Sequence, residues 1–281
     1  MKKIILFVIG LALFAGCAAL QRARTGTFKI KDSIFLDLDV CFIAYDLNTN
    51  KVLAERGGAS CTERVPACST FKIPLALMAY DAGLLHDEFT PMKWDGVESS
   101  IPAWNHDQTA ATWMRDSVVW YSQQLTPKLG LAKIASYLKM FSYGNQDFSG
   151  GITTAWLTPK TPGNIKGSGT LKISAREQLE FLKNFWKQNY KISPNAYDKT
   201  NLILQFDTLE HGYNFSGKTG SGYMGQGSRV RVGWFLGRVE GHGNDIITIL
   251  KFTDNDTQSL GRLAGPQAKE LTLKVLKSNG L

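Results

Sequence analysis

A serine with a lysine three residues further on pairs a nucleophile with a base, and the chain carries such a pair at Ser69 and Lys72. A serine hydroxyl is a poor nucleophile until a neighbour removes its proton. Lysine does so only as the neutral amine, and at its ordinary pKa of about 10.4 on the order of one lysine in 2,500 is neutral at pH 7. Burial among apolar neighbours, here Phe71 and Ile73, lowers an amine pKa by up to about 3 to 5 units. A helix N-terminus also disfavours a cation. The run Val65-Pro66-Ala67-Cys68-Ser69 reads as a loop entering a helix predicted over residues 70–80, with Ser69 at its N-terminus and Lys72 one turn on, on the same face. Pro74 falls in the first turns, where its missing amide costs little.

The spacing alone is weak, because Ser136 and Lys139 repeat it within a predicted amphipathic helix. Ser69 is set apart by three motifs downstream of it in the chain. Ser117-Val118-Val119, between Trp113 and Trp120, offers a hydroxyl able to relay a proton beside an apolar wall. Tyr143-Gly144-Asn145 places polar residues around a glycine that permits a tight turn. Lys218-Thr219-Gly220 comes after Phe215 at the start of a predicted strand. There Gly220 removes a side chain so that a ligand can lie against the backbone, while Lys218 and Thr219 offer a cation and a hydroxyl to an anionic group. Ser-x-x-Lys with a later Lys-Thr-Gly is a signature of penicillin-recognising serine enzymes.

In this order the motifs resemble those of the class D (oxacillinase-type) serine β-lactamases. The match runs through Ser69-Thr70-Phe71-Lys72, Ser117-Val118-Val119, Tyr143-Gly144-Asn145, Trp156-Leu157 and Lys218-Thr219-Gly220, from about Val40 to the C-terminal helix. The resemblance implies hydrolysis of the β-lactam ring of penicillins and related compounds through a Ser69 acyl-enzyme. It implies no cofactor beyond carbon dioxide, which carboxylates Lys72 to a carbamate acting as general base and held by the Trp156 indole N–H. Val119 and Leu157 would keep the surroundings dry. Ser117 would pass a proton to the leaving nitrogen, with Lys218 supporting that network. Thr219 would bind the substrate carboxylate with Arg262, which sits in Leu260-Gly261-Arg262 before the final helix. The backbone amides of Ser69 and Ser221 would form the oxyanion hole. Two alternatives share these motifs. A β-lactam sensor domain tends to carry Asn at the position of Val119, and a penicillin-binding transpeptidase lacks the deacylating base that Trp156 and an apolar lysine pocket provide.

The elements that must position these groups are legible in outline. Residues 40–45 and 51–54 flank the turn-forming Asn48-Thr49-Asn50 as a β-hairpin, and strands are predicted over 229–239 and 246–252. Ser174 and Glu177 form a capping box for a helix whose Leu179, Leu182, Phe185 and Trp186 recur at helical spacing. A last helix is predicted over about 266–277. Strands at both ends around a helical middle predict an α/β (α+β) fold. Its antiparallel sheet is assembled from the two chain ends and packed against an inserted helical lobe, with the site in the cleft between them.

Residues 1–17 read as a signal peptide, with Lys2 and Lys3 ahead of an apolar run over 4–15. That run is about a dozen residues, short of the roughly 20 of a membrane span. Phe14-Ala15-Gly16-Cys17 resembles a lipoprotein box and Cys17-Ala18-Ala19 suits ordinary cleavage, so the expectation is an exported, periplasmic protein with Cys17 as a possible lipid anchor. Residues 18–281 contain no Pro/Ser/Gly-rich linker and read as a single catalytic domain. The formal charge of +8, which becomes +6 without Lys2 and Lys3, is scattered, which argues against a nucleic-acid partner. His86, His106, His211 and His242 are far apart and form no cluster with cysteines, so no metal site is expected. Cys41 and Cys61 can pair in an oxidising compartment, which leaves Cys68 as a small buried hydrophobe beside Ser69.

Overall fold

The computed structural model describes residues 28–35, 38–158, 169–205, 208–224, 228–255 and 262–281. The expected signal segment lies outside them. Among the described residues, nine strands and seven helices run in chain order: β1 (Asp39–Asp46), β2 (Lys51–Arg56), β3 (Val65–Pro66), α1 (Lys72–Asp81), β4 (Pro91–Met92), β5 (Gln108–Thr109), α2 (Ala110–Arg115), α3 (Val119–Leu129), α4 (Leu131–Met140), β6 (Lys172–Ile173), α5 (Ala175–Trp186), α6 (Pro194–Ile203), β7 (Asn214–Tyr223), β8 (Val230–Gly241), β9 (Asn244–Asn255) and α7 (Ala264–Ser278).

The expected sheet from both chain ends is present, five antiparallel strands in the order β2-β1-β9-β8-β7. Its side chains alternate as the pleat requires. Cys41, Ile43 and Tyr45 of β1 and Ile247 and Ile249 of β9 enter the larger core, shared with α1 and the helical lobe. Val40, Phe42 and Ala44 with Ile246, Leu250 and Phe252 enter the smaller core, against Ala268, Leu271 and Val275 of α7. Because β1, β8 and β9 are covered on both faces, they read as near-continuous apolar runs rather than alternating ones. Cys41 and Cys61 are joined in a disulfide that ties β1 to the short helical turn Gly58–Cys61, and Cys68 is free and buried.

The helix N-caps obey local chemistry. Ser174 and Glu177 make both halves of the capping box on α5, and Ser193 caps α6 through the Ala196 amide. Helix α1 is buried on every side from Lys72 to Tyr80, which explains its lack of a polar face. Two expectations are corrected. The helix expected from residue 70 is a 3-10 turn over Cys68–Phe71 that becomes α-helical only at Lys72. Lys218-Thr219-Gly220 lies in the middle of β7, which begins at Asn214, because Phe215 already pairs with Val239 and packs against Phe235.

Candidate active site

Ser69 sits in the 3-10 turn, locked from both sides. Trp234 Nε1 of β8 donates to the Pro66 carbonyl at 3.0 Å, and Thr70 Oγ1 donates to the Ala67 carbonyl at 2.6 Å. Cys68 adopts a positive φ of 51°, strain placed immediately before the nucleophile. Lys72 opens α1, fully buried, with Nζ hydrogen-bonded to Ser69 Oγ at 3.3 Å. Burial holds its pKa well below the usual lysine value, and the nearby charge of Lys218 lowers it further.

The wall behind Lys72 is aromatic. Phe71 packs on Tyr143, Phe148 and Trp156, with the Trp156 ring centroid at 5.3 Å. Trp156 is wholly buried, and its Nε1 has no hydrogen-bond partner among the described residues. Tyr143-Gly144-Asn145 supports this wall from outside. One Gln178 amide donates to both Tyr143 OH and Thr70 Oγ1. Asn145 clamps the turn onto β6, accepting from Lys172 N at 2.9 Å and donating to the Thr170 carbonyl at 2.7 Å. Gly144 has φ of 55°, and a Cβ there would stand 2.1 Å from the Lys172 oxygen, so only glycine fits.

A second amine and hydroxyl face the first. Lys218 on β7 is buried, and its Nζ donates to Ser117 Oγ at 3.0 Å and to the Thr219 carbonyl at 3.2 Å. Burial lowers its pKa to about 7, against the opposing pull of the Asp116 carboxylate. Ser117, at φ of 59°, precedes the Val118 cap of α3. The backbone of β7 offers donors along the open edge of the sheet, where Gly217 N donates to the Leu204 carbonyl and Tyr223 N to Thr158 Oγ1. By the alternation of an antiparallel strand, the amides of Thr219 and Ser221 face that edge too.

These groups surround a cleft of about 400 Å³. Ser69, Ser117, Val119, Leu157, Thr219 and Ser221 line it, as the sequence led one to expect, while Lys72, Trp156 and Lys218 lie beneath its floor. The Ser136–Lys139 pair is exposed on α4, away from any hydroxyl-base geometry.

The penicillin binding protein transpeptidase domain family matches residues 40–274. The chain is 35% identical over 266 residues to Beta-lactamase OXA-1 of Escherichia coli, covering 92% of this chain and 91% of that protein. The chain belongs to the class D β-lactamases. The solved structure of class D beta-lactamase BAT-2 superposes with a TM-score of 0.77 at 30% identity, over 91% of this chain and 98% of that one. Regulatory protein BlaR1 of Bacillus licheniformis is 29% identical over 240 residues, which are 85% of this chain and 37% of that relative.

Two residues of this class D site are also engaged by the protein's own packing. A Cβ on Gly220 would meet Thr70 Cγ2 at 3.1 Å and Trp234 Cβ at 3.2 Å, so the glycine also lets β7 close on the Ser69 turn. Arg262 directly precedes Leu263, which lines the cleft. Its exposed guanidinium bonds Glu270 at 2.5 Å, one helical stretch further along α7, while its carbonyl accepts from Arg231. Sequence reasoning passed over Arg115, Asp116 and Thr158, all of which line the cleft. For Arg115 and Asp116 the signal was available, since two charged residues directly precede Ser117.

Proposed function

We propose that the protein hydrolyses β-lactams through an acyl-enzyme on Ser69, with Lys72 as the base in carboxylated form. Lys72 carries this reading: it is a buried amine one hydrogen bond from the nucleophile, kept neutral by its surroundings. The orphaned Trp156 N–H fits a carboxyl group on that lysine, since a buried donor without an acceptor is costly. Carboxylation by carbon dioxide would supply a carboxylate-type base for proton removal from Ser69 and later from water.

The chain's own residues do the rest. The Ser69 turn and the edge-facing Ser221 amide supply the oxyanion donors, of which one is typically worth about 2.7 to 4 kcal/mol. Ser117, held by Lys218, hands a proton to the leaving nitrogen. Thr219 lies on the cleft wall to hydrogen-bond the substrate. Val119 and Leu157 restrict water over Lys72. Export through residues 1–17, with or without a lipid on Cys17, belongs to the same reading, because a periplasmic lactamase meets its substrate before the drug reaches its target.

The similarity to BlaR1 favours one rival, a domain that is acylated and stays so. Purified protein mixed with a chromogenic cephalosporin or oxacillin separates the two. Many turnovers per Ser69 are expected; a single stoichiometric acylation, seen by intact mass, overturns the hydrolytic reading. Val119 in place of the sensor's characteristic Asn supports turnover.

A further inference from the structure

Ser117 is held in a backbone conformation that its own chemistry disfavours. Its φ of 59° lies in the left-handed region, where a residue with a Cβ is strained and persists only if its surroundings impose the conformation. In that conformation Ser117 Oγ accepts from Lys218 Nζ at 3.0 Å.

Hydrogen bonds pin the peptide groups on either side of it. After it, the Val118 amide donates to the Trp113 carbonyl at 3.1 Å, a bond made within the α2–α3 junction. Before it, the carbonyl of the Asp116–Ser117 peptide accepts the indole N–H of Trp104 at 2.9 Å. That second grip comes from another segment, since Trp104 ends the 3-10 turn Pro102–Trp104, twelve residues upstream of Asp116.

Trp104 is itself held from both sides. Its amide donates to the Ile101 carbonyl at 2.9 Å, and its carbonyl accepts the indole N–H of Trp120, in the first turn of α3, at 2.8 Å. Buried Gln108 steadies the same turn by donating to the Ala103 carbonyl at 2.8 Å. The two indoles form a reciprocal bridge: one reaches from the turn to the residue before Ser117, and the other returns to the turn from three residues after it. Trp104 also lines the cleft, so its ring serves the wall while its N–H serves the backbone of Ser117.

We infer that Trp104 is a positioning residue for Ser117: its indole N–H orients the Asp116–Ser117 peptide and so keeps the Ser117 hydroxyl on Lys218, placed to protonate the leaving nitrogen. The inference deepens the proposed hydrolysis and rests on its assignment of that proton transfer to Ser117. A ring without a donor keeps the cleft wall and releases the peptide. The strain at Ser117 then favours rotation towards a commoner conformation, and Oγ leaves Lys218 for part of the time.

The test measures acylation of Ser69 by benzylpenicillin, followed by rapid quench and intact mass, so that the result does not depend on deacylation. Trp104→Phe should slow acylation at saturation about tenfold, the worth of one hydrogen bond, with the half-saturating concentration unchanged. Ser117→Ala should slow it about a hundredfold or more, the worth of a positioned proton donor. Added to Ser117→Ala, Trp104→Phe should slow it no further, because residues that act as a unit are not additive. A second loss in the Ser117→Ala background, an unchanged rate in Trp104→Phe, or an effect confined to the half-saturating concentration each overturns the assignment and leaves hydrolysis standing. Failure of benzylpenicillin to acylate the unsubstituted protein overturns the hydrolytic reading and this assignment with it. Thermal melts check that each variant folds; Trp104→Leu also lacks the donor and takes the place of Trp104→Phe if that variant does not.

Discussion

Trp156→Phe, measured with and without bicarbonate, isolates the lysine chemistry from the rest of the site. With Lys72 a free amine, the Trp156 N–H is buried without an acceptor, and such a group costs about 1 to 3 kcal/mol. A carboxyl group on Lys72 supplies the acceptor. Bicarbonate should therefore stabilise the unsubstituted protein by about that amount from this bond alone, on top of the mass-action gain of any ligand that binds only the native state. Phenylalanine retains a ring against Phe71 and Phe148 but has no donor. The cavity left by the smaller ring destabilises the variant equally in both buffers, so it cancels in the difference.

The assay is the calorimetric Tm of both proteins in buffer stripped of carbon dioxide and in bicarbonate. For a chain of this size 1 kcal/mol moves Tm by about 2 to 4 °C, so the unsubstituted protein should gain roughly 2 to 12 °C from this bond. Trp156→Phe should gain clearly less, and Lys72→Ala nothing. Only a neutral amine takes up carbon dioxide, and the Lys72 pKa is lowered. The gain should then persist at pH values far below the ordinary lysine range and vanish as acid protonates Lys72. Equal responses in the two proteins refute the pairing of Trp156 with a carboxylated Lys72; a response in Lys72→Ala refutes the site of carboxylation.

Three further outcomes are expected. Lys218 titrates near 7 in the native protein against 10.5 ordinarily, so between those pH values the unfolded chain binds a proton that the native one lacks. Its contribution then rises with pH by about 1.4 kcal/mol per unit. Denaturant titrations should show the stability advantage of Lys218→Met over the unsubstituted protein shrinking across that window, and parallel curves contradict the lowered pKa. Replacing both Cys41 and Cys61, 20 residues apart, by alanine should lower unfolding stability by about 3 kcal/mol from loop entropy with turnover retained at temperatures where the protein stays folded. Loss of turnover in that folded state would show that the bridge positions the site. Ser69→Ala should abolish acylation detected by mass while Ser136→Ala leaves it intact, and the reverse result exchanges nucleophile and decoy.

The outline of the fold was legible because its signals are local. The hairpin turn at residues 48–50, the Ser174–Glu177 box and the paired strands 229–239 and 246–252 each carry their own instructions. The Ser69–Lys72 pair was legible for the same reason, since helical spacing alone brings the two together. What escaped was set by distant packing. The 3-10 start of α1 comes from Trp234 gripping the Pro66 carbonyl across 168 residues. The packing role of Gly220 depends on Thr70 lying opposite it. The Arg262–Glu270 ion pair escaped too, because Glu270 lies eight residues away around the start of α7, where no sequence rule fixes the side chain's direction.

The two buried lysines are better understood together than singly. Like charges oppose one another, as the charge of Lys218 does at Lys72, and each burial already disfavours a cation, so the site resists holding two ammonium groups. Where a proton remains is decided by what else surrounds each amine. Lys218 has the Asp116 carboxylate to favour its charged form, opposed by Lys269. Lys72 has only the Cys68 thiol, which burial raises to about 12 and so keeps uncharged. Of the two, Lys218, near the hydroxyl of Ser117, has the surroundings that favour a proton, and Lys72 beside Ser69 has those that disfavour one. The surroundings differ accordingly: a carboxylate directly precedes Ser117, while the wall around Lys72 is aromatic, which suits the proposed reading in which Lys218 keeps a proton and Lys72 takes up carbon dioxide.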